Sequence, residues 1–404
     1  MKVLSINNCN FGSTGNIMLQ INSLLSEQGH DTINAYPVRR QNATRYVKNK
    51  ILIGSTLSRN IHFWLGQAFG VQGELSVTAT ARFLKKVDEF SPDVIHLHNL
   101  HVSYINLPML FNYIKKHNVK VVWTLHDCWA FTGHCPHFTV VKCDKWKTGC
   151  YSCPQFRKYP QSYVDHSKRM YAMKKRIFTG VNDLTIVTPS QWLGDLTKES
   201  FLGEYPVKVI NNGIDLGIFK PTQSDFRKKY GLENKKIVLG VAFEWCYSKG
   251  LDVFNKLADD LSDEYKVVLV GIKNENKKNL NSKILSISRT SSAIELAQIY
   301  SAADLFVNPT REDNFPTVNM ESLACGTPVL TYNTGGCPEM LDDTCGRVSP
   351  YDNYDALLAN VEDIFAKTPF TEQSCVKKAS EYDKNIKFAE YVSLYNELFS
   401  KNNS

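Results

Sequence analysis

Two acidic residues within residues 309–339 are spaced as parts of a ligand-binding site. Asp313 and Glu321 are separated by seven residues, and Pro316 between them suits the start of a helix. A carboxylate near a helix start can accept hydrogen bonds from the two hydroxyls of a ribose. The turn at residues 333–337 can present backbone amides to a diphosphate, because glycine permits close approach. The alternative is a purely structural role, in which both acids favour the positive end of a helix and the glycines only make a turn.

The whole block, PTREDNFPTVNMESLACGTPVLTYNTGGCPE, resembles the acid-x7-acid signature of the retaining glycosyltransferases of family 4. The resemblance continues in NNGID followed by a phenylalanine and a proline, in the lysine-glycine step at Lys249, and in the GG-x-PE turn from Gly335. It implies transfer of a sugar from a UDP- or GDP-sugar donor to a hydroxyl of a glycan or lipid-linked glycan acceptor, with retention at the anomeric carbon. The setting it implies is surface polysaccharide or lipopolysaccharide biosynthesis.

The resemblance also assigns roles to single residues. Asp313, where the family usually has glutamate, would contact hydroxyls of the transferred sugar, and His126 would lie beside that sugar as the second catalytic residue. Lys249 would stabilise the leaving diphosphate, and Arg289 or Arg311 would replace an arginine that similar enzymes carry just upstream of this lysine. The full set of expected donor-binding residues is Gly12, Gly15, Lys249, Asn314, Phe315, Glu321, Thr334, Gly335 and Gly336. No cofactor is expected for catalysis.

Apolar runs alternate with helical periodicity along most of the chain, which is typical of parallel α/β sheets. The alternation lapses near Pro221 and then restarts, so the sequence predicts two Rossmann-like, doubly wound lobes of the GT-B type that face an interdomain cleft. The expected domains are residues 1–215 on the acceptor side and 222–384 for the nucleotide sugar. A C-terminal helix at residues 385–404 is expected to pack back on the first lobe.

Five of the eleven cysteines lie in a loop at residues 128–153. Two of them have C-x2-C spacing, and four thiolates satisfy the tetrahedral preference of zinc. The predicted structural site consists of Cys135, Cys143, Cys150 and Cys153. Ordinary thiols and a disulfide remain the alternatives.

The 404-residue chain has a net charge of +7, 43% hydrophobic residues and no apolar start typical of a signal peptide, which favours a cytoplasmic protein. The segment at residues 157–176 is strongly basic and interleaved with apolar residues, so a peripheral contact with an anionic membrane at the inner face of the plasma membrane is a further expectation. The rival functions are a nucleotide-sugar epimerase or phosphorylase on the same fold, and a metal-stabilised nucleic-acid-binding module. No nucleic-acid partner is expected.

Overall fold

The computed structural model describes residues 1–400 and contains two compact units. The first domain comprises Met1–Asn211 together with the chain from Lys387 onward, and the second domain comprises Asn212–Ile386. The linker was predicted near residues 215–222, and the last segment was predicted to start at residue 385. The structure divides the chain at Asn211 and returns it to the first domain at Lys387.

The first domain is built on a seven-stranded parallel sheet with strand order β3-β2-β1-β4-β5-β6-β7. Its central strands are near-continuous runs of buried residues, as expected for a sheet covered on both faces. The strands are β1 Lys2–Ile6, β2 Asp31–Pro37, β3 Lys50–Ile53, β4 Val94–Leu97, β5 Lys120–Thr124, β6 Leu184–Thr188 and β7 Val207–Val209.

Helices connect these strands and cover the sheet. They are α1 Gly12–Glu27, α2 Thr56–Phe69, α3 Val77–Phe90, α4 Leu107–His117, α5 Ser167–Phe178 and α6 Gln191–Glu199. The last helix of the chain, α13 Lys384–Ser400, packs apolar residues against α1 and the sheet in one buried cluster. Two of its tyrosines bond to sheet residues: Tyr395 pairs with the His96 ring at 2.7 Å, and the Tyr391 hydroxyl accepts from Thr124 at 3.2 Å.

The second domain repeats this architecture with six parallel strands in the order β10-β9-β8-β11-β12-β13. The strands are β8 Lys236–Val241, β9 Tyr265–Val270, β10 Leu285–Ile287, β11 Leu305–Asn308, β12 Val329–Tyr332 and β13 Gly346–Ser349. The helices are α7 Phe226–Tyr230, α8 Leu251–Asp260, α9 Ala293–Ala302, α10 Thr317–Ala324, α11 Tyr354–Lys367 and α12 Glu372–Ser380. Separate buried clusters lie on the two faces of this sheet. Among the helices described for residues 1–400, none has the length and apolarity needed to span a bilayer.

Candidate functional site

Neighbouring strands β11 and β12 of the second domain lead into the residues of the acidic block. Because the two strands are parallel and hydrogen-bonded, the segments that follow their carboxyl ends lie at one edge of the sheet. Asp313 lies between β11 and α10. Pro316 occupies the N-cap position of α10, so the helix begins where this proline predicts. The Gly335 turn follows β12. The structure therefore brings the two halves of the acidic block together at the sheet edge where α/β proteins bind ligands.

Lys249 and Asp313 form an ion pair at this edge. The Lys249 ammonium donates to Asp313 Oδ2 at 2.6 Å and to the Glu312 carbonyl at 3.1 Å. Burial alone would lower the pKa of Lys249, but the Asp313 carboxylate outweighs it and the pKa is raised. The lysine is thus a fixed cation beside the residue expected to contact the sugar. Both side chains remain partly exposed, at 33% and 24%, so a ligand can reach them.

Arg311 is a structural residue, which corrects the expectation that it could supply a second cationic contact to the donor. Its guanidinium is buried, donates to both carboxylate oxygens of Asp252 at 2.8 Å, and donates to Asp352 at 2.7 Å. It also lies 3.9 Å from the centroid of the Tyr247 ring. The Arg311 guanidinium donates its hydrogen bonds to protein groups, and one of these bonds, to the Tyr247 carbonyl at 2.7 Å, holds the turn that carries Lys249. Arg289 is exposed in the loop before α9.

The Gly335 turn touches the backbone of the Asp313 loop. Gly335 has a φ of +55°, and a Cβ atom there would lie 1.9 Å from the Asp313 carbonyl oxygen, so only glycine fits. The Gly336 N–H donates to the Asn314 carbonyl at 2.8 Å. Thr334 is buried, and its hydroxyl oxygen is among the buried polar atoms that have no hydrogen-bond partner within the described chain. Phe315 is also buried and belongs to the core, so its predicted donor contact would have to come through its backbone.

Glu321 lies on α10, where it accepts a hydrogen bond from the Tyr300 hydroxyl at 3.2 Å. Burial raises the pKa of Glu321 to about 7, against smaller opposing effects of hydrogen bonds from Thr317 and Tyr300. A carboxyl group with such a pKa changes charge near neutral pH. Tyr300 was not among the predicted site residues, because it lies on α9 and no local spacing links it to Glu321.

His126 belongs to the first domain and follows the carboxyl end of β5, as predicted. Its Nε2 pairs with His98 Nδ1 at 3.0 Å, and the two rings stack with centroids 5.3 Å apart. Burial lowers the pKa of His126 to about 4, although the neighbouring Asp127 charge acts in the opposite direction. The imidazole is therefore neutral at pH 7 and acts as a hydrogen-bonding group rather than a cation. His98 was not among the predicted site residues, and only its position after the adjacent strand β4 signalled this contact.

Gly12 and Gly15 lie at the start of α1. Gly12 has a φ of +67°, whereas Gly15 is buried and a Cβ there would lie 2.6 Å from the Asn10 carbonyl carbon. Gly15 is therefore explained by packing of the helix against the preceding loop. Within the described chain, α1 has no side-chain cap and no acid in its first turn. Its first amides are consequently suited to an anion, and the donor-binding role of Gly12 and Gly15 stays a prediction.

The cysteine loop brings several thiols close together. The Cys135 and Cys153 side chains share a hydrogen bond, and the Gly133 N–H donates to Cys150 Sγ at 3.1 Å. All eleven cysteines of the chain are free, so the disulfide alternative does not describe this structure. Within residues 1–400, no group of three or more histidine, cysteine or acidic side chains is arranged to hold a metal ion. The zinc site, including Cys143, stays a prediction.

The basic segment near α5 is organised differently from the expected membrane-facing helix. Its apolar residues Met170, Met173 and Phe178 are buried in the first-domain core. Lys174 is buried with them; its ammonium donates to the carbonyls of Trp129 at 2.7 Å and of Thr132 at 3.1 Å. The apolar face of α5 is therefore already covered, and the exposed side of the helix consists mainly of basic side chains such as Lys175 and Arg176.

Two protein-family models match the chain. The model described as "Glycosyltransferase Family 4" matches residues 23–217, and the model described as "Glycosyl transferases group 1" matches residues 222–385. The second match lies within the second domain, and the first match extends a few residues beyond the first domain. Together they account for most of both domains.

Curated relatives and solved structures agree with these matches. The chain is 28% identical over 264 residues to the putative colanic acid biosynthesis glycosyl transferase WcaC of Escherichia coli (strain K12), covering 63% of this chain and 64% of WcaC. It is 26% identical over 217 residues to the N,N'-diacetylbacillosaminyl-diphospho-undecaprenol alpha-1,3-N-acetylgalactosaminyltransferase of Campylobacter jejuni, covering 49% of this chain and 56% of that relative. These alignments thus span less than two thirds of either relative.

Among solved structures, Anabaena HepE in complex with UDP and glucose superposes with a TM-score of 0.69 at 14% identity, over 98% of this chain and all of that one (100%). A likeness at this identity establishes the fold, which is the GT-B fold of two parallel-sheet α/β domains predicted from the sequence. With the two family models matching in chain order along this fold, the chain belongs to the glycosyltransferases of family 4.

Proposed function

We propose that the protein transfers a sugar from a nucleoside diphosphate sugar to a hydroxyl of a glycan acceptor, with retention at the anomeric carbon. The observation that carries this proposal is the Lys249–Asp313 ion pair beside the Gly335 turn, with Glu321 on the following helix. The Lys249 cation and the closely approaching backbone of the Gly335 turn suit a diphosphate. The carboxylates of Asp313 and Glu321 suit the hydroxyls of a sugar and of a ribose.

Each residue has a chemical task in this proposal. The Lys249 ammonium would balance the charge that develops on the leaving diphosphate, which is a stronger interaction in the transition state than before it. Asp313 would hold hydroxyls of the transferred sugar, and Glu321 would accept from the ribose. In the first domain, the neutral His126 would position the sugar by hydrogen bonding, because its lowered pKa excludes a cationic role at pH 7.

For the donor we propose a UDP-sugar, since HepE, which shares the fold, binds UDP and glucose. For the acceptor we propose a glycan of a surface polysaccharide, and more narrowly one carried on a lipid diphosphate. The first part is supported by the likeness to WcaC, and the second by the likeness to the Campylobacter enzyme, whose name specifies a diphospho-undecaprenol-linked substrate.

A thermal-shift screen with UDP, GDP and their common sugars tests the donor. A ligand that binds only the folded protein at a hundredfold excess over its Kd stabilises it by about 2.7 kcal/mol, so UDP or a UDP-sugar should raise Tm. The matched variants are Asp313→Asn, which should mainly lower turnover, and Glu321→Ala, which should mainly weaken binding. His126→Ala should lower turnover while the protein stays folded, with some loss of Tm because buried His98 loses its hydrogen-bond partner. No shift with any nucleotide sugar at millimolar concentration would overturn the proposal.

A further inference from the structure

A cavity of about 250 Å³ lies in the first domain between three segments of the chain. One wall is formed by α2 and the turn that follows it, the second by the loop after β4, and the third by residues 157–161. We call this space the α2 cavity. Its lining includes Phe63, Gln72, Ser103, Arg157 and Tyr159. Pockets for drug-sized ligands measure about 300–1,000 Å³, so the α2 cavity suits a smaller group such as one sugar ring.

Two aromatic side chains give the α2 cavity its apolar surface. Phe63 lies on the same side of α2 as the buried residues Gly66 and Gln67, because positions three and four residues apart are neighbours on a helix. Tyr159 is 56% exposed, so part of its ring is accessible to a ligand. A hydrogen bond of 2.9 Å between the Tyr159 hydroxyl and His101 Nδ1 holds this ring in place. A fixed aromatic ring offers a flat apolar surface, which suits the C–H face of a sugar ring.

Gln72 supplies the α2 cavity with a buried hydrogen-bond acceptor. Its side chain is 7% exposed, and its Nε2 donates to the Pro160 carbonyl at 2.9 Å. That bond fixes the orientation of the amide, whose Oε1 has no hydrogen-bond partner within the described chain. Because an unpaired buried polar atom is costly, a ligand that donates a hydrogen bond to Oε1 is favoured. A sugar hydroxyl is such a donor, whereas an ionised phosphate has only acceptors to offer.

The loop after β4 has a strained backbone where it lines the α2 cavity. Val102 has a φ of +80° and Ser103 a φ of +48°, although neither residue is glycine. A positive φ is an outlier for a β-branched residue such as valine, and strained conformations of this kind cluster at ligand-binding sites. The Ser76 hydroxyl holds the loop by donating to the Ser103 carbonyl at 2.9 Å. This wall of the cavity is therefore formed before any ligand binds.

His101 connects the α2 cavity to the segment that carries His126. Besides its bond to Tyr159, His101 has its Nε2 atom 3.3 Å from Asp127 Oδ2. Asp127 directly follows His126 in the chain. The aromatic wall of the cavity is thus joined through one side chain to the residue pair at the end of β5. A ring bound in the cavity lies on the same side of the first domain as His126, which is expected to lie beside the transferred sugar.

We propose that the α2 cavity is a subsite for one neutral sugar ring of the glycan acceptor. Phe63 and Tyr159 pack against the ring, and Gln72 Oε1 accepts a hydrogen bond from one of its hydroxyls. The exposed guanidinium of Arg157, which also lines the cavity, donates to oxygens of the sugar. His101 is a positioning residue that acts through Tyr159. The acceptor role rests on the proposed sugar transfer, whereas binding of a glycoside in the cavity needs neither donor nor turnover.

Saturation-transfer NMR of the full chain with methyl glycosides of glucose, galactose, fucose and N-acetylglucosamine tests the subsite. At least one glycoside should bind without nucleotide. Tyr159→Ala should weaken that binding roughly two- to tenfold, whereas Tyr159→Phe, which keeps the ring, should weaken it less. Gln72→Leu should cause a loss of roughly two- to tenfold, as expected for one hydrogen bond. The matched controls are Tyr163→Ala, at a tyrosine that is 57% exposed, and Arg176→Gln, to be compared with Arg157→Gln; both controls should bind as wild type does.

The response of Tm to UDP separates failure of the subsite from failure of the proposed function. UDP should raise Tm in every variant as in wild type, which also shows that the variants are folded. If UDP raises Tm and no glycoside binds, the subsite is wrong and the sugar transfer stands. If glycosides bind and no nucleotide sugar does, the cavity loses its role as an acceptor subsite. Equal glycoside binding by wild type, Tyr159→Ala and Gln72→Leu, or displacement of the glycoside by inorganic pyrophosphate, would overturn the assignment of the α2 cavity to a neutral sugar.

Discussion

Burial of Glu321 has a measurable cost in stability that the variant Glu321→Gln should remove. The pKa of this carboxyl is raised from 4.5 to about 7 because burial shields it from water, which outweighs the opposing effect of the hydrogen bond from Tyr300. The folded protein therefore holds the proton more tightly than the unfolded chain does. Protonation of Glu321 therefore stabilises the folded protein fully below pH 4.5, and this stabilisation is lost as the pH rises through 7.

The size of the effect follows from the shift. A difference of about 2.5 pKa units corresponds to about 3 kcal/mol, at about 1.4 kcal/mol per unit. Glutamine resembles the protonated carboxyl in shape and charge, so the variant should match wild type near pH 4.5. At pH 8 it should have a free energy of unfolding about 3 kcal/mol higher than wild type, which urea unfolding at a series of pH values will measure.

A control and a binding experiment sharpen this test. Glu362→Gln removes a carboxylate from the exposed side of α11 and controls for loss of a charge alone. If the ionised Glu321 accepts hydrogen bonds from a ribose, UDP affinity should rise up to about tenfold from pH 6 to pH 8 in wild type. The variant should lack that rise. Stability curves of wild type and Glu321→Gln that run parallel from pH 5 to pH 8 would refute the reasoning from burial.

Three further results are expected. Gly335→Ala should lower the free energy of unfolding by about 1–3 kcal/mol more than Gly231→Ala does, measured by urea unfolding. Both glycines have positive φ, but of the two only Gly335 would place a Cβ atom 1.9 Å from a backbone oxygen. Equal losses would contradict this reasoning. Lys249→Gln should weaken UDP binding roughly 10- to 100-fold by calorimetry, as expected for loss of a charged hydrogen bond, and unchanged affinity would remove the lysine from the site. Elemental analysis of protein purified without chelator should find about one zinc per chain, lost in Cys150→Ser; metal-free, active protein would leave the cluster as thiols.

The sequence was sufficient wherever the signal is local. The spacing of Asp313 and Glu321, the capping proline and the glycine turn all act within one short segment, and the structure places them as expected. The central strands of both sheets were likewise visible as apolar runs, because strands buried on both faces have no polar alternation. The chain's α/β class and two-domain organisation followed from these local features.

Roles set by distant residues could not be obtained in this way. Arg311 was taken as a possible ligand contact, but its carboxylate partners Asp252 and Asp352 come from two other segments. The composition of α5 suggested a surface helix, because composition does not reveal which side of a helix the core covers. Conversely, the exposure of Leu57, Trp64 and Phe69 on α2 could not be predicted, since these residues are as apolar as those of a buried helix.

The packing of α13 bears on how the protein is made. The first domain is completed by the chain from Lys387 onward, whereas the second domain is formed by the continuous segment Asn212–Ile386. During synthesis, residues 1–211 emerge first but lack the tyrosines of α13 that bond to His96 and Thr124. The buried cluster of α1 and the sheet therefore stays incomplete until α13 has left the ribosome. The second domain, although synthesised later, has all its own residues available earlier than the first.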